Sequence, residues 1–419
     1  MRRILTFAIF IFLLAGCANF SSLLSTPEPA IASTNTPAPE ATSTPTLTPT
    51  IAPGGQRVLR MWVPPQFDPS AETPAGALLQ ERLDEFVARR PGLRIEVRVK
   101  AESIVNSLST TQVAAPSIMP DLVALARTDL EIASAKGLLH PLNGLTTLPD
   151  DPDWYPYARQ IAHIQNTTFG LPFAGDALAL FGYNFPLPTD WNQLPEETLF
   201  IFPAADPQAL FGLSLYLSAG GELVNDQGLL TVDETILAEV LSLYLPPEEE
   251  TEFISLASRE YQSDEQAWNA FRERRGNLTV SWVSSYLDEQ IPTLALAPLP
   301  GLGTGQYTLA TGWSWALAGS NPENQPLVVE LAEFLSDSRF LAEWSQAAGY
   351  LPTRPTALSS WNDTISKIGL AQTAESANLV PSEDVLITIG PLFAEATLAV
   401  LNGEKLPAEA AQSIAEQLK

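Results

Sequence analysis

The stretch ALLQERLDEFVARRPGLRIEVRVK, residues 77–100, joins a helical pattern directly to a strand pattern. Leu79 and Leu83 lie four residues apart, the spacing that puts apolar side chains on one face of a helix. Pro91 interrupts that pattern. Residues 93–99 then alternate apolar and charged side chains, which is the period of a β-strand. This stretch therefore predicts a helix followed by a strand.

The flanking residues extend this pattern into an α/β fold. RVLRMWV, residues 57–63, predicts a strand before the helix, and PDLVALA, residues 120–126, predicts another strand after it. A strand, a helix and a second strand form a parallel pair joined by a crossover. A second region of helices and strands begins at residue 177, and the last part of the chain is predicted to be mostly helical. The predicted fold class is α/β.

The N-terminus reads MRRILTFAIFIFLLAGC, with two arginines before an apolar run that is short for a membrane span but typical of a signal peptide. Leu14-Ala15-Gly16-Cys17 resembles the bacterial lipobox. We therefore expect residues 1–16 to be a lipoprotein signal peptide and Cys17 to carry the lipid. An ordinary secretory signal with a chance cysteine is the alternative.

Residues 17–56 are rich in Ser, Thr, Pro and Ala. Such a segment buries too little apolar surface to offset its ordering entropy, so the sequence predicts a disordered tether. Its prolines favour extended conformations, and about 40 residues reach roughly 100 Å.

The composition bounds the chemistry of the remaining residues. The formal charge is −26, which disfavours nucleic acid as a partner. The single cysteine excludes an internal disulfide, and with only His140 and His163 beside it we expect no metal site. The segment GWSWA, residues 312–316, lacks the last glycine of a nucleophile elbow, and both histidines precede Ser314. We therefore expect no enzyme activity and no cofactor.

Six segments in one order resemble the bacterial extracellular solute-binding proteins, and among them the maltose-binding-protein-like group that binds carbohydrates. They are LLQERLDEFVARRPGLRIEVRV (78–99), MPDLVALARTDLEIASAKGLLHPL (119–142), FGLPFAGDALALFGYN (169–184), LPTDWNQLP (187–195), SAGGELVNDQG (218–228) and AAGYLPTRPTAL (347–358). The resemblance covers about residues 57–419 and departs from the family pattern at Asp190, which is inserted before the tryptophan.

The resemblance implies a two-lobed α/β shell with a ligand cleft between the lobes. The N-terminal lobe would comprise residues 57–173 and 298–351, and the C-terminal lobe residues 174–297 and 352–419. It also implies the substrate-binding subunit of an ABC importer, which captures a mono- or oligosaccharide by hinge closure and delivers it to a permease. We expect a monomer outside the cytoplasm, anchored by lipid to the cell membrane or in the periplasm. A polyamine, peptide or glycerol phosphate ligand, a sensory role and, last, a surface hydrolase are the alternatives.

Trp282 and Asp176 are the main ligand-binding candidates. Trp282 lies in LTVSWVSSYLDE, which resembles the family segment whose tryptophan stacks on sugar. Asp176 matches a family acid that bonds sugar hydroxyls. A core position for Trp282 and a hinge hydrogen bond for Asp176 are the alternatives.

Further candidates lie in or after predicted strands. Trp62 closes the first strand and Gln66 and Phe67 follow it, at the end where ligands bind in parallel sheets, although core packing is equally compatible with Trp62. Trp313 lies in the middle of ATGWSWAL, where a glycine lets the chain approach the cleft, and Trp315, on the same strand face, is equally compatible with being the buried tryptophan. We add three polar residues: Arg127, Asp129, for which a helix-capping role is equally compatible, and Arg354.

Overall fold

The computed structural model describes residues 57–183, 186–195, 197–245, 253–289, 291, 294–303, 305–319, 321–362 and 364–418. Cys17 and the predicted signal peptide and tether lie outside the described residues. The described residues all belong to one compact unit, Gly54–Lys419.

The strands are β1 (Arg57–Val63), β2 (Leu93–Val99), β3 (Leu122–Ala126), β4 (His163–Ile164), β5 (Thr167–Thr168), β6 (Gly170–Tyr183), β7 (Phe200–Ile201), β8 (Leu278–Trp282), β9 (Leu294–Ala297), β10 (Thr308–Leu317) and β11 (Ala377–Leu379). The helices are α1 (Pro74–Ala88), α2 (Ile104–Ala114), α3 (Arg127–Ala135), α4 (Pro156–Ala162), α5 (Leu210–Ser218), α6 (Glu234–Ser242), α7 (Asp264–Arg272), α8 (Val283–Glu289), α9 (Gln325–Leu335), α10 (Ser338–Ala348), α11 (Pro355–Ser359), α12 (Thr364–Glu375), α13 (Glu383–Leu401) and α14 (Pro407–Gln417). The α/β class predicted from the sequence is confirmed.

The opening stretch folds as its pattern predicts. Thr73 caps α1 by accepting a hydrogen bond from the backbone N–H of Gly76, and the apolar stripe of α1 is buried. Gly92 has a φ of 85°, which lets the chain turn from α1 into β2. β1 and β2 pair in parallel along their full length, from Arg57 opposite Leu93 to Val63 opposite Val99.

The main sheet runs in the order β2-β1-β3-β10-β6-β8-β7, with β11 paired to β10 and β9 paired to β6. β1, β2 and β3 are parallel to one another, whereas β10 runs antiparallel to both β3 and β6. β6 is the longest strand. Its first part pairs with β10, and residues 178–183 pair with β8 and β9.

Gly175 and Gly312 are register partners in the antiparallel pairing of β6 with β10. A Cβ atom on Gly312 would lie 2.4 Å from the carbonyl oxygen of Ala174, and one on Gly175 would lie 2.0 Å from the hydroxyl of Tyr157. Gly175 also exchanges two backbone hydrogen bonds of 2.8 Å with Leu351. Three segments therefore meet here so closely that any side chain would collide.

Separate apolar clusters lie on the two faces and at the two ends of the sheet. Helix α13 has the length and apolar composition of a membrane span, but Ile389, Phe393 and Val400 are almost fully buried in the cluster around β8. We therefore assign α13 as a core helix.

Candidate functional site

The sheet register places three sequence-predicted residues on one face. Residues directly opposite in paired strands point to the same side, and along one strand every second residue does so. Trp313 pairs with Ala174, Thr311 with Asp176, and Leu178 with Trp282. Asp176 therefore lies between the two tryptophans on one face of β10, β6 and β8.

Trp282 lines a cavity of about 290 Å³ at the end of β8. Its ring is half-buried and packs against the neighbouring apolar cluster while part of it stays accessible. The cavity is lined by Leu178, Phe202, Pro203, Ala204, Asp206, Pro207, Gln208, Ala209, Leu210, Phe211, Gly212, Tyr244, Gln262, Ser263, Asp264, Val280, Trp282 and Thr397. An aromatic wall with a few polar groups is the usual lining of a small-molecule site.

Two carboxylates, Asp206 and Asp264, lie in the cavity wall. Burial raises the pKa of Asp264 to about 6, although hydrogen bonds from Ser281 and from the Trp282 backbone oppose the shift and the charge of Asp206 adds to it. The Ser281 hydroxyl donates to Asp264 over 2.7 Å. Burial also raises the pKa of Asp206, against a backbone hydrogen bond from Gln208. Among the described residues that line this cavity there is no lysine or arginine.

The cavity also receives the first turns of two helices. Helix α5 begins at Leu210 and has no side-chain cap, and α7 begins at Asp264 after the cap residue Ser263. Of the first-turn residues, Leu210, Phe211 and Gly212 of α5 and Asp264 of α7 line the cavity. The first N–H groups of a helix have no partner within that helix, so the N–H groups of these residues are candidate donors at the wall of the cavity. Ala209 enters α5 with a φ of 48°, a left-handed conformation that costs a non-glycine residue about 1–2 kcal/mol. Backbone strain of this kind concentrates at binding sites.

The carboxylate of Asp176 is held by protein groups. One of its oxygens accepts hydrogen bonds from the backbone N–H of Ala177 at 2.9 Å and of Ser284 at 3.0 Å, and the other accepts from the Ser284 hydroxyl at 2.5 Å. Burial raises the pKa of Asp176 to about 7 against these three bonds, and the charge of Asp264 adds to the shift. The hydroxyl-binding role predicted for Asp176 stays a prediction, and its observed partners are Ala177 and Ser284.

Trp313 is half-buried and packs edge-on against Phe67, with ring centroids 5.1 Å apart. Phe67 itself is buried and also contacts Phe173 and Tyr350, so it supports Trp313 from inside the core. The sequence left open which tryptophan of GWSWA is buried. The structure answers that Trp315 is buried, stacked on Phe173 at 4.0 Å.

Arg127 is occupied by the end of α4. One of its guanidinium nitrogens donates to the carbonyl oxygens of Gln160, Ile161 and His163 at 3.0, 2.9 and 2.6 Å, and another pairs with Glu131. Gln160 and Ile161 lie in the last turn of α4, and His163 follows it. Arg127 thereby ties α3 to the end of α4, and its predicted ligand contact stays a prediction.

Asp129 lies in the first turn of α3, but Ala126 is the N-cap residue and no side chain caps this helix. The capping interpretation of Asp129 is therefore wrong. Burial raises the pKa of Asp129, and the nearby charge of Glu383, at the start of α13, adds to the shift. Asp129 thus remains a ligand-binding candidate.

The other sequence candidates have different surroundings. Trp62 is 1% exposed in the core, with Lys100 over its ring at 3.9 Å, so in this structure the ring meets protein atoms instead of solvent. Gln66 is exposed on the short 3₁₀ helix after β1. Arg354 is 4% exposed, pairs with Asp151 and Asp153 at 3.3 Å and lies over Trp154, which buries the charge among protein partners.

Asp206, Gln208 and Asp264 were missed by the sequence analysis. They lie in the segments ADPQ and SDEQ, with Asp206 shortly before α5 and Asp264 as the first residue of α7, and acids at such positions are common as simple caps and turn residues. The one local signal is that α7 directly precedes the strand that carries Trp282.

Residues 70–339, more than half of the chain, match the family model described as bacterial extracellular solute-binding protein. The chain belongs to this family. No curated protein sequence matches it.

Solved structures agree with this assignment. The chain is similar to the GacH receptor of Streptomyces glaucescens, with 17% identity, 86% of this chain and 97% of that chain covered, and a TM-score of 0.62. It is similar to the sugar-binding protein MalE of Xanthomonas citri, with 18% identity, 86% and 96% covered, and a TM-score of 0.69. It is also similar to an ABC transporter solute-binding protein of Agrobacterium radiobacter, with 18% identity, 88% and 100% covered, and a TM-score of 0.58. The predicted two-lobed α/β fold of this family is thereby confirmed.

The proteins of this family bind solutes, and the local geometry offers little to a hydrolase. Ser314, in the near-match to a nucleophile elbow, is fully buried, and its hydroxyl has no hydrogen-bond partner. Within the part of the chain that the structure describes, no three His, Cys, Asp or Glu side chains are placed to hold a metal ion.

Proposed function

We propose that this solute-binding protein captures a neutral carbohydrate, a mono- or oligosaccharide, at the Trp282 cavity and its surroundings on the sheet face. The observation that supports this is the mixture of donors and acceptors in one cavity. Asp206 and Asp264 supply carboxylate acceptors, and the first turns of α5 and α7 supply N–H donors. A sugar hydroxyl both donates and accepts, so it satisfies both kinds of group.

Trp282 adds the apolar half of carbohydrate recognition. The accessible part of its indole offers a flat surface for the apolar face of a sugar ring. Trp313, on the same sheet face, offers a second. From their register positions, four residues apart along β6 and on either side of it, the two lie roughly 16 Å apart, which favours a ligand longer than one ring.

The similar structures point to ligands of this class. The GacH receptor was solved with acarbose, MalE of Xanthomonas citri is a sugar-binding protein, and the protein of Agrobacterium radiobacter was solved with ribitol. Acarbose, sugars and ribitol are all polyhydroxylated molecules. Their chemistry fits the donor and acceptor groups around Trp282.

The biological role follows from the family. We propose that the protein is the substrate-binding subunit of an ABC importer, monomeric and outside the cytoplasm, tethered by a lipid on Cys17. Its lobes, residues 57–173 with 298–351 and residues 174–297 with 352–419, would close on the ligand and dock on a permease. Strands β6 and β10, which pair at Gly175 and Gly312, would form part of the connection that bends.

The test is a binding screen on the fragment from Gly55 onwards. Glucose, maltose, maltotriose, cellobiose and ribitol form the neutral panel, and spermidine, glycerol phosphate and a tripeptide represent the alternatives. A ligand at 100 times its Kd should add about 2.7 kcal/mol to the free energy of unfolding, which thermal shift detects. Small-angle scattering of the same samples should show a smaller radius of gyration with the bound sugar.

Binding of spermidine or glycerol phosphate with no response to any sugar would refute the carbohydrate assignment and keep the binding role. A bound sugar that leaves the radius unchanged at saturation contradicts hinge closure alone. Mass spectrometry of the mature protein tests the anchor separately, and an unmodified N-terminus downstream of Cys17 would rule it out.

A further inference from the structure

Strand β8 passes into helix α8 without a connecting loop. β8 ends at Trp282 and α8 begins at Val283, so the N-cap position of the helix is occupied by Trp282. Tryptophan has no side-chain acceptor and cannot cap the free N–H groups of the first helical turn. The candidate ligand-stacking residue thus sits at a helix start that its own side chain cannot satisfy.

Asp176 supplies the missing acceptor from the neighbouring strand. Its carboxylate accepts the N–H of Ser284, the second residue of α8, at 3.0 Å, and the Ser284 hydroxyl at 2.5 Å. Leu178, two residues further along β6, pairs with Trp282. The same strand therefore fixes Trp282 by backbone pairing and caps the helix that follows it by a side chain.

We propose that Asp176 is a positioning residue of the binding site, a cap donated by β6 to α8 that sets the orientation of the Trp282 indole. This rests on the proposed function only in assigning Trp282 to the ligand. A cap normally belongs to the residue before the helix, and here it comes from 108 positions away in the sequence. The junction between β8 and α8 is thereby tied to β6, next to the position where Gly175 pairs with Gly312 of β10.

The arrangement predicts that Trp282 senses the protonation of Asp176. The ionised carboxylate is the better acceptor for both Ser284 bonds. The other titratable groups around it are Asp264, which accepts from the Trp282 backbone on the strand side, and the phenols Tyr157 and Tyr350, which both feel the charge of Asp176. Asp288 adds its charge at Tyr350.

The test uses the fragment from Gly55 labelled with 5-fluorotryptophan, in which nine tryptophans give separate fluorine resonances. Trp282→Phe assigns the resonance of interest. Asp176→Ala should shift or broaden the Trp282 resonance, and Ser284→Ala should do so less because the backbone bond remains. Asp176→Asn, the neutral isostere, should hold the resonance near the position that the wild type shows below pH 7. The wild-type resonance should also move with a midpoint near pH 7, since burial raises the pKa of Asp176 to about 7, and this step should vanish in Asp176→Asn.

Asp233→Ala is the matched control. Asp233 caps α6 with two N–H bonds of 2.8 and 3.0 Å, and no residue of α6 lines the cavity among those described. It should lower stability and leave the Trp282 resonance in place. In the binding screen, Asp176→Ala should raise the Kd of the sugar that binds best from the neutral panel by roughly five- to tenfold. This is the scale of the free energy lost with one helix cap.

An unmoved Trp282 resonance in Asp176→Ala overturns the proposal, and so does an equal shift in Asp233→Ala. If Asp176→Ala fails to fold, the smaller shift in Ser284→Ala and the pH step decide the question. If the resonance moves as expected and no sugar binds, the positioning role stands and the carbohydrate proposal falls. If sugars bind and the resonance is indifferent to Asp176, the reverse holds.

Discussion

The carboxylate of Asp176 and the Ser284 hydroxyl are 2.5 Å apart, joined by a hydrogen bond across 108 positions of sequence. The bond links β6, which contains Gly175, to α8, the helix that follows Trp282. Three hydrogen bonds stabilise the ionised form of Asp176, yet burial outweighs them and raises its pKa to about 7. The site therefore contains a half-buried acid whose pKa is raised towards neutral pH.

This acid should give the free energy of unfolding a characteristic pH dependence. The folded-state pKa is about 7 and the ordinary value is 3.8, so between these values the folded protein holds a proton that the unfolded chain has lost. This contribution therefore favours folding below about pH 4 and declines as the pH rises to about 7, by at most about 1.4 kcal/mol per pH unit. Asp176→Asn should lack this decline.

Urea unfolding of both proteins between pH 4.5 and 7.5 measures the difference. Asp226→Asn, at an exposed position in a turn, removes the same formal charge and should run parallel to the wild type. Parallel curves for Asp176→Asn as well would mean that Asp176 titrates normally.

Local patterns predicted the elements that local interactions define. The helical stripe of α1, its end before Pro91 and the strand β2 all involve neighbouring residues, and the structure confirms them. The six-segment resemblance carried the fold, and the family match confirms it.

The partners of buried polar groups could not be predicted in this way, because they lie far apart in sequence. Arg127 meets carbonyls more than 30 positions away, and Arg354 meets Asp151 and Asp153 about 200 positions away. An arginine that binds a ligand and one that ties two elements together look the same in sequence. Asp206 and Asp264 were missed for the same reason, since only the folded chain brings both to Trp282.

Removing the indole of Trp282 should weaken sugar binding much more than it destabilises the protein. A central aromatic contact is worth a few kcal/mol of binding, so Trp282→Ala should raise the Kd of the bound sugar by roughly a hundredfold. Calorimetric titration gives the Kd and a thermal scan gives the melting temperature.

Trp344→Phe is the counterpart to that variant. Trp344 is 2% exposed and packs against Phe67 and Phe173, so its truncation should lower the melting temperature and leave the Kd unchanged. If Trp282→Ala instead melts much lower and still binds the sugar with full affinity, Trp282 is a core residue.

Sugar affinity should fall on the acid side through the carboxylates of the cavity. Burial raises the pKa of Asp264 to about 6, and an ionised carboxylate accepts hydroxyl hydrogen bonds more strongly than a protonated one. The Kd should therefore rise further as the pH falls below 6. Asp264→Asn should bind more weakly at pH 8 and show a flatter profile, whereas Asp226→Asn should follow the wild type. A wild-type Kd that is the same at pH 5 and pH 8 contradicts a direct role for Asp264.

The pairing of β6 with β10 should tolerate no side chain at Gly175 or Gly312. In Gly312→Ala the new methyl group would lie 2.4 Å from the Ala174 carbonyl oxygen and 2.6 Å from Ile161, so backbone must move, and overpacking of this kind costs about 1–3 kcal/mol or more.

In Gly175→Ala the closest atom is the Tyr157 hydroxyl oxygen at 2.0 Å. Tyr157→Phe removes that atom, so the double variant should recover part of the lost stability while the Leu351 carbonyl, at 3.0 Å, keeps it below wild type.

Gly212→Ala, in helix α5, meets nothing closer than 3.3 Å and gains helix propensity, so its melting temperature should stay near that of the wild type. Equal melting temperatures for Gly312→Ala and Gly212→Ala would show that the paired strands accommodate a methyl group at low cost. The radius of gyration with and without sugar would then be the remaining test of whether β6 and β10 bend at these glycines.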